Sequence, residues 1–145
     1  MRTPASPGKT LAAYPVICDI SSRVADVDGY GHLNAIRIGQ YYEEARASFY
    51  TVALSERPRE ARILVGELTF QYVAEGFWPG VLQVGTGIAS LGNSSFIMGQ
   101  GLFQNEKCIG LCKTVLVTTQ SGKSVPMPDD LRAELMRQMI QPDRD

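Results

Sequence analysis

An aspartate in a glycine-rich loop is the residue best placed for chemistry in this 145-residue chain. Asp28 is followed by Gly29 and Gly31, and the loop leads into a pattern typical of a helix. Glycines let a ligand approach the main chain, and the first turn of a helix has N–H groups without intrahelical acceptors. Such N–H groups stabilise an oxyanion, while a nearby carboxylate can activate water or attack a carbonyl carbon. This is the minimum equipment for hydrolysing an acyl group, and it suits a thioester because a thiolate leaves without strong protonation. The structural alternative is that Asp28 is only a turn or capping residue.

Other catalytic and metal chemistries have few residues to draw on. His32 is the single histidine, and the three cysteines are Cys18, Cys108 and Cys112. Cys108 and Cys112 do not have the two-residue gap of a zinc or redox pair, so we expect no metal site. His32 has no accompanying G-x-S-x-G turn, which argues against a serine hydrolase. An odd number of cysteines without a secretory signal predicts reduced thiols and a cytoplasmic protein.

Composition favours one globular domain that acts on a small molecule. Hydrophobic residues make up 44% and charged residues 20% of the chain, and the net charge is -1. That balance gives no field for holding nucleic acid, and no apolar run is long enough to cross a membrane. We expect a flexible N-terminal tail over residues 1–13, a single domain over 14–140, and a C-terminal tail over 141–145.

One long amphipathic helix is predicted from about Ala35 to Leu54. Its apolar stripe recurs at steps of three and four residues and consists of Ile38, Tyr42, Ala45, Phe49 and Val52. Asn34 is the expected N-cap. Glu43, Glu44 and Arg46 are expected on another face, where Glu43 and Arg46 have the spacing of an ion pair.

Period-two patterns predict strands before and after this helix in the sequence. The first strand lies near residues 14–25, and four more cover about 63–72, 81–91, 95–104 and 108–119. In the second strand Leu64, Gly66, Leu68, Phe70 and Tyr72 share one face. A short helix is predicted over 129–139. We expect a hairpin-linked antiparallel sheet that curls around the long helix, an α+β fold, and a dimer that pairs the open sheet edges.

The loop and helix together resemble a known family. Residues 23–34 read RVADVDGYGHLN and residues 41–46 read YYEEAR. This is similar to the signature of hotdog-fold acyl-CoA thioesterases of the 4-hydroxybenzoyl-CoA thioesterase-like branch, a D-x-D-x-x-G-H-x-N loop before a helix bearing Y-x-E-x-A-R. The resemblance covers about residues 14–136. It implies a hotdog fold, a homodimer or homotetramer, an acyl-CoA or acyl-carrier thioester as substrate, and no cofactor.

The resemblance also implies roles for four residues. Asp28 corresponds to the catalytic carboxylate, which acts as nucleophile or general base. Ala35 corresponds to the backbone N–H donor of the oxyanion site, although many relatives have Asn or His there. His32 and Asn34 match the H-x-N motif and either orient the thioester or water, or fix the loop and cap the helix. Asp26 is expected to be structural, as the last residue of the first strand. The aromatic group Phe70, Tyr72, Phe77 and Trp78 lines an acyl pocket or belongs to the core or a dimer contact.

Two other functions stay open on the same fold. The first is a non-catalytic protein that binds acyl thioesters, or a thioesterase acting on an acyl-carrier protein. The second is a hydratase or dehydratase, ranked last because the spacing from Asp28 to His32 is one residue short of that pattern. Arg62, Lys107 and Lys113 are candidates for the coenzyme A phosphates, and nothing in the sequence selects among them.

Overall fold

The computed structural model describes residues 8–54 and 61–142 of the chain. Its elements are β1 (Val16–Ser21), α1 (Ala35–Ala53), β2 (Arg62–Tyr72), β3 (Val81–Leu91), β4 (Ser95–Gln104), β5 (Lys107–Gln120), β6 (Lys123–Ser124) and α2 (Asp129–Met136), with 3-10 turns at Leu11–Ala13 and Val24–Asp26. The antiparallel sheet curls around α1, as expected for an α+β hotdog fold. The predicted bounds of β3 and β4 agree with the structure.

The strand order differs from the predicted meander. The sheet runs β1-β3-β4-β5-β2 with β6 also paired to β5, so hairpins join β3, β4, β5 and β6 in sequence, but β2 does not pair with β3. The eight residues between β2 and β3 carry the chain across the sheet, and β2 pairs with β5 at the far edge. A tight hairpin loop has two to five residues, so this longer connection releases β2 from pairing with β3.

Helix α1 buries more of its surface than the predicted stripe. Its buried residues are Ile38, Tyr41, Tyr42, Ala45, Arg46 and Phe49. The prediction was wrong at Val52, which is 69% exposed, and at Arg46, which is buried instead of facing Glu43. The Arg46 guanidinium donates to Gln100 Oε1 at 3.3 Å. A stripe counted from apolar residues alone misses a polar side chain whose partner lies on a distant strand.

Strand β2 forms an edge of the sheet and is exposed along its length. A bulge at Gly66 shifts its register against β5, so Val65 lies opposite the buried Leu116 and Leu64 opposite Val117. The prediction that Leu64 shares a face with Leu68 was therefore wrong, because one extra residue reverses the alternation. Leu68 and Phe70 lie opposite the buried Thr114 and Cys112, on the face toward α1.

The two ends of the described chain meet beside the sheet. Ala13 is buried, and its carbonyl accepts from the Gln141 N–H at 2.8 Å. The remainder of the expected tails, residues 1–7 and 143–145, lies outside the described residues. Helix α2 ends at Met136 rather than at Met139, because Gln138 and Ile140 instead bond to the backbone of Ile88 in β3.

Candidate active site

The site loop, residues 26–34, folds back on itself in a tight turn. Asp28 N–H donates to His32 O at 2.8 Å, and Gly31, with φ of 80°, donates its N–H to Asp28 O at 3.2 Å. The Asp28 carboxylate closes the turn, because Oδ1 accepts from Tyr30 N–H at 2.9 Å and from His32 N–H at 3.1 Å. The second oxygen, Oδ2, has no hydrogen-bond partner among the described residues, so it is the one available to a ligand.

A buried carboxylate anchors the loop at its first residue. Asp26 is fully buried and accepts from Tyr41 Oη at 2.6 Å and from the backbone N–H of Arg23 at 3.1 Å. Burial raises the pKa of Asp26, but hydrogen bonds from Tyr41 and Arg23 outweigh it and hold that pKa below its usual value. Burial and the bond to Asp26 raise the pKa of Tyr41. Asp26 is structural as predicted, although it lies in a 3-10 turn and not at the end of β1.

The loop delivers the chain into the start of α1. Asn34 N–H donates to Asp26 O at 2.8 Å, which closes the loop, and Asn34 Oδ1 accepts from Ile36 N–H at 2.9 Å. Asn34 is therefore the N-cap that the sequence predicts. Ala35 is the first helical residue and is exposed, and an N–H at this position has no acceptor within the helix. The first turn can thus hold a developing negative charge.

His32 is held from two sides by the segment that joins β2 and β3. Its Nδ1 lies 3.2 Å from Glu75 Oε1, and its ring meets Phe77 edge to face with the ring centroids 5.0 Å apart. The backbone of His32 pairs with that of Phe77 in an isolated bridge. Sequence reasoning missed the contact of Glu75 with His32, because the two residues are far apart in the chain.

The same segment docks closely on the site loop. Leu33 N–H donates to Gly76 O at 2.9 Å. A Cβ atom at Gly76 would lie 2.8 Å from side-chain carbons of Leu33 and Ile109. The position therefore excludes any larger residue unless its neighbours move.

The predicted aromatic group lies half-exposed on this side of the molecule. Tyr72 Oη donates to Ala35 O at 3.3 Å, and Phe70 stacks on Tyr42 with the ring centroids 5.8 Å apart. Phe77 and Trp78 are 47% and 42% exposed. Tyr72 thus borders the start of α1 and Phe77 borders the site loop, and the isolated chain leaves both side chains open to solvent.

The cavities, the cationic side chains and the possible metal ligands of the described residues identify no further part of the site. Two cavities, of about 520 and 300 Å³, are lined by residues outside positions 27–34. Of the cationic candidates, Arg62 lies on β2, and Lys107 and Lys113 lie on β5. Within the described ranges, no three side chains of His, Cys, Asp or Glu are grouped to hold a metal ion. The described helices include none long and apolar enough to span a membrane.

A family profile covers the loop, the helix and the strands together. The profile of the thioesterase-like superfamily matches residues 22–135. The chain belongs to this superfamily. The match begins just before the site loop and ends inside α2, so every site residue described above lies within it. No curated protein matches the chain.

Solved structures share the fold over nearly their whole length. A protein from Pseudomonas aeruginosa strain PAO1 is 24% identical, with a TM-score of 0.81 over 92% of this chain and 98% of its own. A predicted thioesterase from Bacillus stearothermophilus is 25% identical, with a TM-score of 0.78 over 88% and 98%. A thioesterase from Thermus thermophilus, complexed with coenzyme A and Zn, is 23% identical, with a TM-score of 0.77 over 86% and 94%.

Proposed function

We propose that this protein is an acyl-CoA thioesterase that hydrolyses an acyl thioester to a free acid and coenzyme A. The observation that carries the proposal is the placement of Asp28 in the site loop. Two backbone N–H groups hold one oxygen of its carboxylate, the other oxygen has no hydrogen-bond partner among the described residues, and the loop leads directly into α1. Membership of the thioesterase-like superfamily and the coenzyme A bound by the Thermus protein support the substrate class.

The reaction needs one carboxylate and one oxyanion donor. As general base, Asp28 takes a proton from water while the water oxygen bonds to the thioester carbon. The carbonyl electrons move to oxygen, where the Ala35 N–H stabilises them. These electrons re-form the carbonyl as the C–S bond breaks. The departing thiolate then takes the proton from Asp28, which becomes a carboxylate again. As nucleophile, Asp28 instead bonds to the carbon, expels the thiolate and forms an anhydride that water then cleaves.

Single-turnover hydrolysis in ¹⁸O-labelled water detects the nucleophilic route if water cleaves the anhydride on its aspartyl side. A nucleophilic carboxylate acquires the label when water cleaves the anhydride at the aspartyl carbon, whereas a general base does not. Mass spectrometry of the peptide containing Asp28 reports the outcome.

His32 and Asn34 support the carboxylate in different ways. Asn34 accepts from Ile36 N–H and so fixes the start of α1 where the loop enters it. We assign to His32 the orientation of the attacking water, because the hydrogen bond from its backbone N–H to Asp28 Oδ1, at 3.1 Å, holds the residue next to the carboxylate. Neither residue exchanges a proton with the thioester in this scheme.

We further propose that the protein forms a homodimer, through the free edge of β2. Leu64, Val65 and Leu68 on this strand are 52%, 52% and 41% exposed. An unpaired apolar edge exposes hydrogen-bonding groups and hydrophobic surface, and a second copy related by two-fold symmetry would cover both. The partner would also wall the acyl site beside Phe70 and Tyr72. Pairing of dimers into a tetramer remains a prediction.

A thiol-release screen tests the function. Purified protein is mixed with aromatic, short-chain, branched and long-chain acyl-CoAs, and free thiol is measured against an Asp28→Asn variant and an Asp19→Asn control. We expect release from at least one substrate, a loss of about 10²-fold or more in Asp28→Asn, and little change in the control. Full activity in Asp28→Asn would overturn the assignment. Tight binding of acyl-CoA without thiol release would identify a binding protein, and release only from acyl-carrier protein would reassign the substrate.

A further inference from the structure

The ring of His32 is fixed far more firmly than its position in an exposed loop would require. Its main chain is set by two hydrogen bonds, one from Asp28 N–H to His32 O and one from His32 N–H to Asp28 Oδ1. Glu75 Oε1 lies 3.2 Å from one ring nitrogen, and Phe77 presses against the ring at an interplanar angle of 87°. Among the described residues, Nε2 has no hydrogen-bond partner. One ring nitrogen is therefore engaged and the other is left for a ligand.

We propose that Glu75 is a positioning residue of the thioesterase site and holds His32 in the Nδ1–H tautomer. His32 Nδ1 and Glu75 Oε1 lie within ion-pair distance, and we infer that Nδ1 carries the proton because a carboxylate accepts hydrogen bonds and cannot donate them. The bond made by one ring nitrogen sets the protonation of the other. Nε2 then presents a lone pair that accepts a hydrogen bond from the attacking water. This inference rests on the proposed function, and it explains how His32 orients water without exchanging a proton.

The chain holds Glu75 in place from both sides. Before it, the N–H groups of Val73 and Ala74 both donate to Ile109 O, at 3.0 and 3.1 Å. After it, the buried Gly76 accepts from Leu33 N–H at 2.9 Å, and Leu33 directly follows His32. The glutamate and the histidine are thus tied to each other through the main chain as well as through their side chains.

The contact contributes little to folding, which separates positioning from stability. The Glu75 side chain is 65% exposed and that of His32 is 31% exposed. Charged pairs that are exposed to solvent contribute little to stability. Glu75 variants should therefore fold, and any loss of activity in them reports on the orientation of the ring.

The single histidine makes the tautomer directly measurable. Protein labelled with ¹⁵N-histidine gives one pair of ring nitrogen signals, whose shifts show which nitrogen carries the proton in the neutral ring. Wild type, Glu75→Ala and Glu75→Gln are compared with Glu44→Gln, in which an exposed glutamate on α1 loses its charge. We expect mainly Nδ1–H in wild type and Glu44→Gln, and a shift toward Nε2–H in Glu75→Ala. The Gln variant keeps an acceptor oxygen and should lie between them.

Hydrolysis kinetics on the same proteins complete the test. We expect kcat to fall about tenfold in Glu75→Ala with KM changed less than about twofold, and to be partly retained in Glu75→Gln. A wild-type ring that is mainly Nε2–H, or a tautomer unchanged in Glu75→Ala, would overturn the inference. A shifted tautomer with unchanged kcat would also overturn it, while leaving the thioesterase proposal intact. If Glu75→Ala shifted the tautomer as expected but the wild-type protein hydrolysed no thioester, the proposed function would be removed and the positioning role with it.

Discussion

Replacing Gly76 by alanine tests whether the contact between the β2–β3 segment and the site loop controls the site. A Cβ at this position would lie 2.8 Å from Leu33 Cδ1 and 2.8 Å from Ile109 Cδ1. Carbon atoms attract one another best at about 3.5–4.0 Å, so each neighbour must retreat by roughly 0.7 Å. Leu33 and Ile109 are 6% and 3% exposed, which leaves little room for either to move.

The cost follows from overpacking a buried contact. One extra methyl group in a packed interior costs about 1–3 kcal/mol. For a chain of this size, each kcal/mol lowers the melting temperature by about 2–4 °C, so a cost of about 2 kcal/mol corresponds to about 4–8 °C. Leu33 belongs to the site loop, and its retreat would displace His32. We therefore also expect a loss of about tenfold or more in thioester hydrolysis.

Thermal unfolding and thiol release measure the two effects. For the melting temperature, Gly29→Ala is the matched control, because nothing lies within 4 Å of a Cβ built there and its φ is not in the left-handed region. We expect the control to melt within about 2–4 °C of wild type, since its change in stability should stay below about 1 kcal/mol. If Gly76→Ala matched wild type in both melting temperature and rate, the β2–β3 segment would not control the loop.

Three further variants probe the anchor, the cap and the edge. Asp26→Asn should destabilise the protein by about 2–4 kcal/mol at neutral pH, because a buried charged hydrogen-bond network is broken. Since the folded pKa of Asp26 lies below 3.8, its stabilisation is present above that value and is lost as the pH falls through the folded pKa. Urea unfolding should accordingly show the gap to wild type narrowing in acid. Asn34→Ala should cost about 1 kcal/mol in the same assay, and Asn34→Asp much less. Leu68→Lys should yield monomers by analytical ultracentrifugation, whereas the same change at exposed Val24 should not; a dimer that survives Leu68→Lys would exclude the β2 edge.

Local patterns predicted the parts of the fold that depend on neighbouring residues. The glycine-rich loop, the Asn34 cap and the hairpins around β4 all follow from short-range chemistry. The pairing of β2 with β5 does not, because it joins positions as distant as Arg62 and Thr119. The bulge at Gly66 could not be predicted either. The alternation of apolar and polar residues along β2 looks unbroken in the sequence, and only the pairing with β5 shows that one residue is out of register. Arg46 was misplaced because its partner Gln100 lies 54 positions away.

The site loop shows why its polar residues can be exposed and still held in position. Its first residue, Asp26, is buried. Its last residues are fixed by two hydrogen bonds, from Asn34 N–H to Asp26 O and from Leu33 N–H to Gly76 O. Between these ends, Asp28 uses one carboxylate oxygen to bind the loop's own N–H groups and keeps the other free. Buried groups at the ends thus supply the rigidity, so the residues between them need not be buried to be well oriented. A sequence pattern identifies Asp28 but does not show which residues fix the loop and which are left for a ligand. Three of the residues that hold the loop, Tyr41, Glu75 and Gly76, lie outside it.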